Sequence, residues 1–367
     1  MIKVMTVFGT RPEAIKMLPI IKEIEKDTKL KNIVVTTGQH KEMLEQVMIY
    51  FGVDSDYNLD VMVPNQSLSE VMTRIIDTLE PILKLEQPDI VLVHGDTTTT
   101  LAASLCCYFN KILIGHVEAG LRTWDKFSPF PEEINRQLTD SLSDLYFVPT
   151  QYSKKNLLRE NIDEKKIYIT GNTVVDALNY TVDLNYKNEL LNEIDPRKKI
   201  ILLTMHRRES FGKSMEDVFN GINQLSTERD DIEVIFPVHL NPIVQKSAYK
   251  YFVNNENVHL IEPLDIYHFH NLIKKSYLIL TDSGGIQEEA PSLNIPVLIL
   301  RNETERPEGV KNGCLKLIGT NSNKIKREIS MLLDTKDLYN KMSSAKNPYG
   351  DGKSSRRIVT IIKNYLI

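Results

Sequence analysis

Short β-branched runs alternate with longer helix-patterned segments along the whole chain, and few folds accept that rhythm. Two parallel strands need a crossover of a dozen or more residues, usually a helix, and the gaps here supply one each time. The pattern predicts strands over 3–8, 32–37, 90–94, 112–117, 145–148 and 167–170, with helices over 13–26, 41–51, 68–86, 97–110, 131–140 and 152–161. Ser67 with Glu70 three residues later has the form of a capping box. A second series predicts strands over 200–204, 233–238, 258–261, 278–281, 296–300 and 315–318, again with helices between. Ile358, Ile361, Ile362 and Leu366 at helical spacing predict a last helix that docks on the body of the protein.

At roughly 100–200 residues per domain, 367 residues make about two domains. The polar stretch 185–199, containing Asp195-Pro196, reads as the neighbourhood of the crossover. The expected division is 1–170, with the helix 354–367 packing back on it, and 171–353. The fold class is thus α/β, two doubly wound Rossmann-like domains facing a central cleft, and ligands in such sheets sit beyond the carboxyl ends of the strands.

Composition narrows the function without naming it. With 45 Lys+Arg against 49 Asp+Glu the net charge is −4, and 41% hydrophobic residues are ordinary for a globular chain. A disordered tail, a collagen-like rod and a small disulfide scaffold are excluded, and the charge balance argues against nucleic acid as a partner. Cys106, Cys107 and Cys314 show no C-x-x-C spacing and read as buried free thiols of a reducing compartment. The apolar run 2–8 stops at Gly9-Thr10-Arg11-Pro12, too early for an export signal or a membrane span, so a cytoplasmic chain is expected.

The motifs that follow strands carry the chemistry. Neither a G-x-x-x-x-G-K-[ST] loop nor a G-x-G-x-x-G fingerprint occurs. After the first strand, Gly9-Thr10-Arg11-Pro12-Glu13 and Lys16 either place Arg11 and Lys16 against an anion or leave both as solvated surface cations. Asp96, in His94-Gly95-Asp96-Thr97, is a helix cap or a functional carboxylate. Glu118, before Ala119-Gly120, is a poor cap and lies where ligands bind. Glu132 and Arg136 stand at i, i+4, the spacing of a surface ion pair. Asp96, Glu118 and Glu132 together offer three carboxylates expected to raise one another's pKa, as acid/base chemistry near neutrality needs. No histidine pair has ligand spacing, so neither a metal nor another cofactor is expected.

In the second half, His206-Arg207-Arg208 after a strand reads as a phosphate grip. Asp282-Ser283-Gly284-Gly285 lets backbone N–H groups approach a phosphate, and Glu289 one turn on has the reach to accept from a ribose diol. Arg306 adds a cation.

These motifs together closely resemble the bacterial non-hydrolysing UDP-N-acetylglucosamine 2-epimerases, a family with a two-domain glycosyltransferase-B type fold. The resemblance runs through G-T-R-P-E-A-I-K-M, H-G-D-T-T-T-T, G-H-V-E-A-G-L-R-T, P-E-E-x-N-R, T-G-N-T, H-R-R-E, P-V-H-L-N-P, D-S-G-G-x-Q-E-E-A-P, T-E-R-P-E-G and N-P-Y-G-D-G, essentially the whole chain. It implies reversible epimerisation of UDP-GlcNAc to UDP-ManNAc at C2 through loss of UDP and a 2-acetamidoglucal intermediate, in a homodimer that supplies ManNAc for cell-surface polysaccharide. By resemblance Asp96, Glu118 and Glu132 are the catalytic carboxylates, Arg136 their supporting arginine and His206 the histidine near the leaving UDP. Arg11, Ser283, Gly284, Gly285, Glu289 and Arg306 fall on UDP-binding positions and Phe269 near the uracil, while Lys16 joins the substrate-binding set from the first-strand motif. A regulatory UDP-GlcNAc site is implied at Gln39, His40, Gln66, Arg207 and His239, with two departures from the family pattern at Glu42 and Asn65. Glu42 would repel a pyrophosphate and Asn65 removes a cation, so weakened regulation is expected. A hydrolysing epimerase, a glycosyltransferase of the same architecture and a UDP-sugar sensor without turnover are the rival functions.

Overall fold

The structure, a computed structural model, describes every residue except 39, 40, 64 and 65, and the side chains of the rest except those of 41–43 and 208. The chain divides into two compact units, Met1–Tyr180 with Tyr349–Ile367, and Thr181–Pro348.

The first unit runs β1 (Ile2–Phe8), α1 (Arg11–Ile24), β2 (Leu30–Thr36), α2 (Lys41–Phe51), β3 (Tyr57–Asn58), α3 (Leu68–Glu86), β4 (Ile90–His94) and α4 (Thr98–Phe109). It continues with β5 (Leu113–Val117), α5 (Glu132–Leu142), β6 (Leu145–Val148), α6 (Gln151–Arg159), β7 (Ile167–Ile169) and α7 (Thr173–Thr181). All strands are parallel, in the order β3-β2-β1-β4-β5-β6-β7. The order reverses between β1 and β4, which opens the crevice where doubly wound sheets bind ligands. Ile90, Val91, Leu92 and Val93 of the central β4 have no exposed surface, as expected of a strand covered by helices on both faces.

Local chemistry sets the helix ends. Thr10 and Glu13 form a reciprocal capping box on α1, and Ser67 and Glu70 form the one read from the sequence on α3. Val71, Ile75, Leu79 and Leu83, four residues apart, put one face of α3 in the core. Gly120, after β5, has φ +80°, and a Cβ there would lie 2.5 Å from the Ser153 carbonyl oxygen, so the turn after Glu118 accepts only glycine.

The second unit runs α8 (Glu189–Glu193), β8 (Lys199–Thr204), α9 (Lys213–Glu228), β9 (Ile232–Pro237), α10 (Pro242–Phe252), β10 (Val258–Ile261) and α11 (Ile266–Lys275). It continues with β11 (Leu278–Thr281), α12 (Ile286–Ser292), β12 (Val297–Ile299), α13 (Pro307–Asn312), β13 (Leu315–Leu317), α14 (Ser322–Asp334) and α15 (Lys336–Ser343). Its parallel order, β10-β9-β8-β11-β12-β13, repeats the doubly wound pattern with the switch between β8 and β11.

The α/β class and both sheets agree with the sequence reading, and every strand read there is present within two residues at each end. Only the two-residue edge strand β3 is additional among the described residues. The crossover does differ from its expected neighbourhood. The chain changes unit at the end of α7, before the polar stretch 185–199. Residues just past that point are tied to α11: Asn271 donates to the Thr181 carbonyl (2.8 Å) and accepts from the Asp183 N–H (2.7 Å), and Thr181 Oγ1 lies 2.6 Å from His270 Nδ1. These contacts fix the chain to the second unit ahead of the stretch where the crossover was expected. The three cysteines are free and buried, and burial pushes the thiols of Cys106 and Cys314 up to about 11. Among the described residues no helix is long and apolar enough to cross a membrane.

The chain returns to the first unit at Tyr349 and ends in α16 (Ser354–Leu366), which packs on α1 and buries Ile358, Val359 and Ile362. The first two N–H groups of α16 are received by the Asp176 carboxylate of α7, at 3.1 Å from Ser354 and 2.7 Å from Ser355. At its other end, Lys363 reaches Asp27 at 2.5 Å. Asp176→Ala leaves two N–H donors without their acceptor and should cost about 1–3 kcal/mol, read as a lower urea midpoint. Amide exchange should accelerate across 354–366 and remain slow in β4.

Candidate functional site

In the first unit the ends of β1, β4 and β5 lie side by side, and the motif residues gather there. Glu118 stands just beyond β5 with φ +65°, a left-handed conformation uncommon for a residue with a side chain and of the kind held at functional sites. Its carboxylate is buried and receives Lys16 Nζ on both oxygens at 2.8 Å. His94 Nε2 lies 2.9 Å from Oε2, and Asn172 donates to Oε1 at 3.3 Å. Burial acts to raise the pKa of Glu118, but Lys16, His94 and Arg136 outweigh it and hold the carboxyl well below its ordinary range. The expected mutual raising of carboxylate pKa values is therefore not what the structure has at Glu118, because cations surround it. Burial lowers the pKa of His94, with Glu118 opposing it.

Arg136 is buried on α5 and ties the Asp96 carboxylate to the backbone of Glu118. One guanidinium nitrogen donates to the Glu118 carbonyl and the other to Asp96 Oδ2. It is not the exposed partner of Glu132 that i, i+4 spacing suggests. Glu132, in the first turn of α5, has a buried Oε2 without a hydrogen bond among the described residues. Arg11 takes the first position of α1.

Several residues that the sequence reading passed over hold this arrangement. The buried Glu13 carboxylate accepts from the N–H groups of Gly9 (3.1 Å) and Thr10 (2.8 Å) and from the Thr97 hydroxyl (2.7 Å), joining the turns after β1 and β4. Asp140 and His116 are fully buried and 2.6 Å apart, while the second ring nitrogen of His116 is 2.7 Å from the Gly95 carbonyl, next to Asp96. Asp140 also receives Arg122 at 2.6 Å and the Gly120 N–H at 3.2 Å. Burial raises the Asp140 pKa, but His116 and Arg122 bring it below the usual value.

In the second unit the corresponding gathering is at the ends of β8, β11 and β12. Asp282, fully buried, accepts from the backbone N–H groups of His206 (3.1 Å) and Arg207 (2.9 Å) and from Ser210 Oγ (3.1 Å), fixing the loop after β8. The His206 ring stacks on His239 with centroids 5.6 Å apart and planes at 16°. Burial lowers the pKa of His206, with Asp282 opposing and His239 and Arg207 adding to it, so His206 is a neutral ring at pH 7 and not a standing cation of the phosphate grip.

Ser283, Gly284 and Gly285 lead into α12, with Glu289 one turn on, and a Cβ on Gly285 would lie 3.5 Å from Glu289 Oε1. Glu289 Oε2 is 3.7 Å from His270 Nε2, the neighbour of Phe269 on α11. Arg306 bonds Glu288 through Nε at 2.9 Å and Glu305 through a terminal nitrogen at 3.1 Å. Arg207 reaches the same Glu305 oxygen at 2.8 Å. Arg207 and His239, expected in a regulatory site, thus touch or share partners with residues expected at the substrate. Gln66 bonds locally to Val63 N and Met62 Sδ. Gln39, His40 and Asn65 lie outside the described residues, as does the side chain of Glu42.

Comparison with known proteins gives this geometry a family. The sequence profile described as UDP-N-acetylglucosamine 2-epimerase matches residues 22–363. A Bacillus subtilis protein named UDP-N-acetylglucosamine 2-epimerase is 52% identical over 98% of this chain and 94% of its own length. Among solved structures, S. aureus MnaA with UDP superposes with a TM-score of 0.92 at 52% identity, covering 100% of this chain and 97% of that one. The Neisseria meningitidis UDP-GlcNAc 2-epimerase bound to UDP-GlcNAc gives 0.92 at 46% identity, covering 99% of this chain and 100% of that one. With its two doubly wound units, the profile match over 22–363 and such relatives over nearly the full length, the chain belongs to the UDP-N-acetylglucosamine 2-epimerase family.

Proposed function

We propose that this enzyme interconverts UDP-GlcNAc and UDP-ManNAc by eliminating UDP across C1 and C2 and adding it back to the resulting 2-acetamidoglucal. The observation that carries the reading is the buried, cation-held Glu118 carboxylate just beyond β5, kept ionised by Lys16, with the Glu118 backbone carbonyl tied through Arg136 to the Asp96 carboxylate. The hydrogen at C2 is not alpha to a carbonyl, so a base alone removes it too slowly. The C1–O bond must break first or concurrently, UDP leaving with the electron pair and C1 gaining oxocarbenium character. Arginines stabilise the charge that develops on the pyrophosphate, and a carboxylate takes the C2 proton as the C1–C2 double bond forms. Re-addition returns a proton to the opposite face of C2 and UDP to C1, so at least two acid/base groups are required.

Glu118, Asp96 and Glu132 serve as those groups in this reading, with Arg136 holding Asp96. The unbonded, buried Oε2 of Glu132 is free to exchange a proton with a substrate without first breaking a hydrogen bond to the protein among the described residues. His206, neutral at pH 7, accepts or donates a proton near the leaving group. Arg11, Arg306, Ser283, Gly284 and Gly285 hold the diphosphate, Glu289 the ribose and Phe269 the uracil, while Lys16 acts through Glu118. The enzyme works as a cytoplasmic homodimer and supplies ManNAc for cell-surface polysaccharide.

Pure protein incubated with UDP-GlcNAc in heavy water should give UDP-ManNAc at equilibrium, with deuterium at C2 of both epimers by NMR. Release of free ManNAc would select a hydrolase, and unchanged substrate would sink the proposal. Asp96→Asn, Glu118→Gln and Glu132→Gln should each lower kcat by at least about 100-fold; near-wild-type turnover in all three would remove the carboxylates from the mechanism. In Lys16→Met the largest charge opposing the burial of Glu118 is gone, its pKa rises, and the acid limb of kcat/KM should move toward neutral pH. The same depressed pKa lends wild-type stability that is present above the unfolded carboxylate value of about 4.3 and is lost as pH falls through the folded value, so acid unfolding should be shallower in this variant.

A further inference from the structure

Three arginines of the second unit converge on one carboxylate. Arg207, after β8, meets Glu305 Oε1 at 2.8 Å; Arg306, before α13, meets the same oxygen at 3.1 Å; and Arg301, after β12, meets Oε2 at 2.7 Å. The carboxylate rests against the backbone of Gly284, where a Cβ would come within 2.9 Å of Glu305 Oε1 and 3.3 Å of the Arg306 guanidinium carbon. A singly charged carboxylate with two oxygens, held by forked guanidiniums against a glycine, has the form of the interaction a phosphate would make in its place.

We propose that Glu305 is a built-in counter-anion of this arginine cluster, and that the diphosphate of a nucleotide ligand must displace it from Arg207 and Arg306 to bind. The inference rests on the reading that this unit holds UDP. It adds a residue that sets diphosphate affinity by competing with the ligand.

The remaining contacts let the cluster survive the exchange. Arg306 keeps Glu288 on Nε at 2.9 Å, and Glu288 is only 1% exposed and cannot leave. Arg301 and Arg207 keep Glu209, at 3.0 and 3.4 Å. Glu305 is the partner with room to leave, its side chain 24% exposed. Burial acts to raise its pKa, but Arg306, Arg207 and Arg301 bring it down to about 2, so it is a full negative charge at any working pH. A diphosphate carries more charge and more acceptor oxygens than a carboxylate and wins the exchange, but its affinity is reduced by what Glu305 gives up. When the nucleotide leaves, Glu305 returns, and the arginines are never left facing one another uncompensated.

The test is calorimetric titration of UDP, and separately of inorganic pyrophosphate, onto wild type, Glu305→Gln and Glu305→Asp, with KM and kcat for UDP-GlcNAc. Glu305→Gln should bind both anions about tenfold more tightly or better and show a similar fall in KM without a rise in kcat, because it keeps the shape and loses the competing charge. Glu305→Asp should remain within about threefold of wild type. Unchanged or weaker UDP binding by folded Glu305→Gln, or weakening in both variants, overturns the proposal and makes Glu305 a structural brace. A structure of the wild type with UDP provides a check that needs no variant: Glu305 should have left Arg207 and Arg306, and finding it still on both guanidiniums overturns the proposal. Wild type that turns over UDP-GlcNAc while Glu305→Gln binds no tighter sinks only this inference, whereas wild type that neither binds UDP nor turns over substrate sinks the functional reading with it.

Discussion

Burying carboxylates at the carboxyl ends of parallel strands is the constraint from which the rest of this structure follows. Desolvation alone pushes a buried carboxyl toward its neutral form by several pKa units, so each must be folded together with groups that hold it charged. Glu118 is given Lys16, Asp140 is given His116 and Arg122, and Glu305 is given three arginines. Removing one partner from such a set leaves an uncompensated charge and costs far more than a surface pair is worth. The sets around Glu118 and Asp140, with the least exposed partners, therefore resist rearrangement most.

The partners come from far along the chain, and the sheet order brings them together. Lys16 and Glu118 are 102 residues apart, yet β1, β4 and β5 are consecutive in the sheet, so the helix after β1 and the turn after β5 open on the same crevice. The turn after β5 is itself over-determined: Gly120 cannot carry a side chain against Ser153, its N–H is held by Asp140, and Asn156 donates to its carbonyl at 3.0 Å. Packing of that kind is able to keep Glu118 in a left-handed conformation that a free residue would leave.

What the sequence made legible was local. Strand and helix positions, the capping box at Ser67 and the placing of Asp96, Glu118 and the Gly284-Gly285 pair beyond strands all follow from periodicity and turn chemistry, and the structure has each of them. Partner choice was not legible, because it depends on which strand ends become neighbours. Glu132 and Arg136 have ion-pair spacing, yet Arg136 turns inward to Asp96 and the Glu118 carbonyl, since a buried carboxylate and a strained turn gain more from it than a helix surface does. Lys16 was read as a cation for an anion, and its anion is a carboxylate of the protein. Glu13, His116, Asp282 and Glu305 stood inside the quoted motifs without being singled out, and Asp140 lay four residues past one of them. Acidic residues in positions where cations alone would serve a phosphate were the available signal.

That pairing also changes what the overall charge of −4 means. An acidic chain that binds an anion would ordinarily have to gather free cations, and gathered guanidiniums repel one another. Here the cations near the expected phosphate positions are already neutralised from within the same unit, by Glu288, Glu209 and Glu305. In the proposed exchange a nucleotide replaces one anion with another, and the change in net charge of the cluster is smaller than the charge of the ligand. Binding built this way depends less on ionic strength than capture by bare arginines, because salt screens the protein's own carboxylate and the incoming phosphate alike. It also keeps departure of the nucleotide from leaving a concentrated positive field behind.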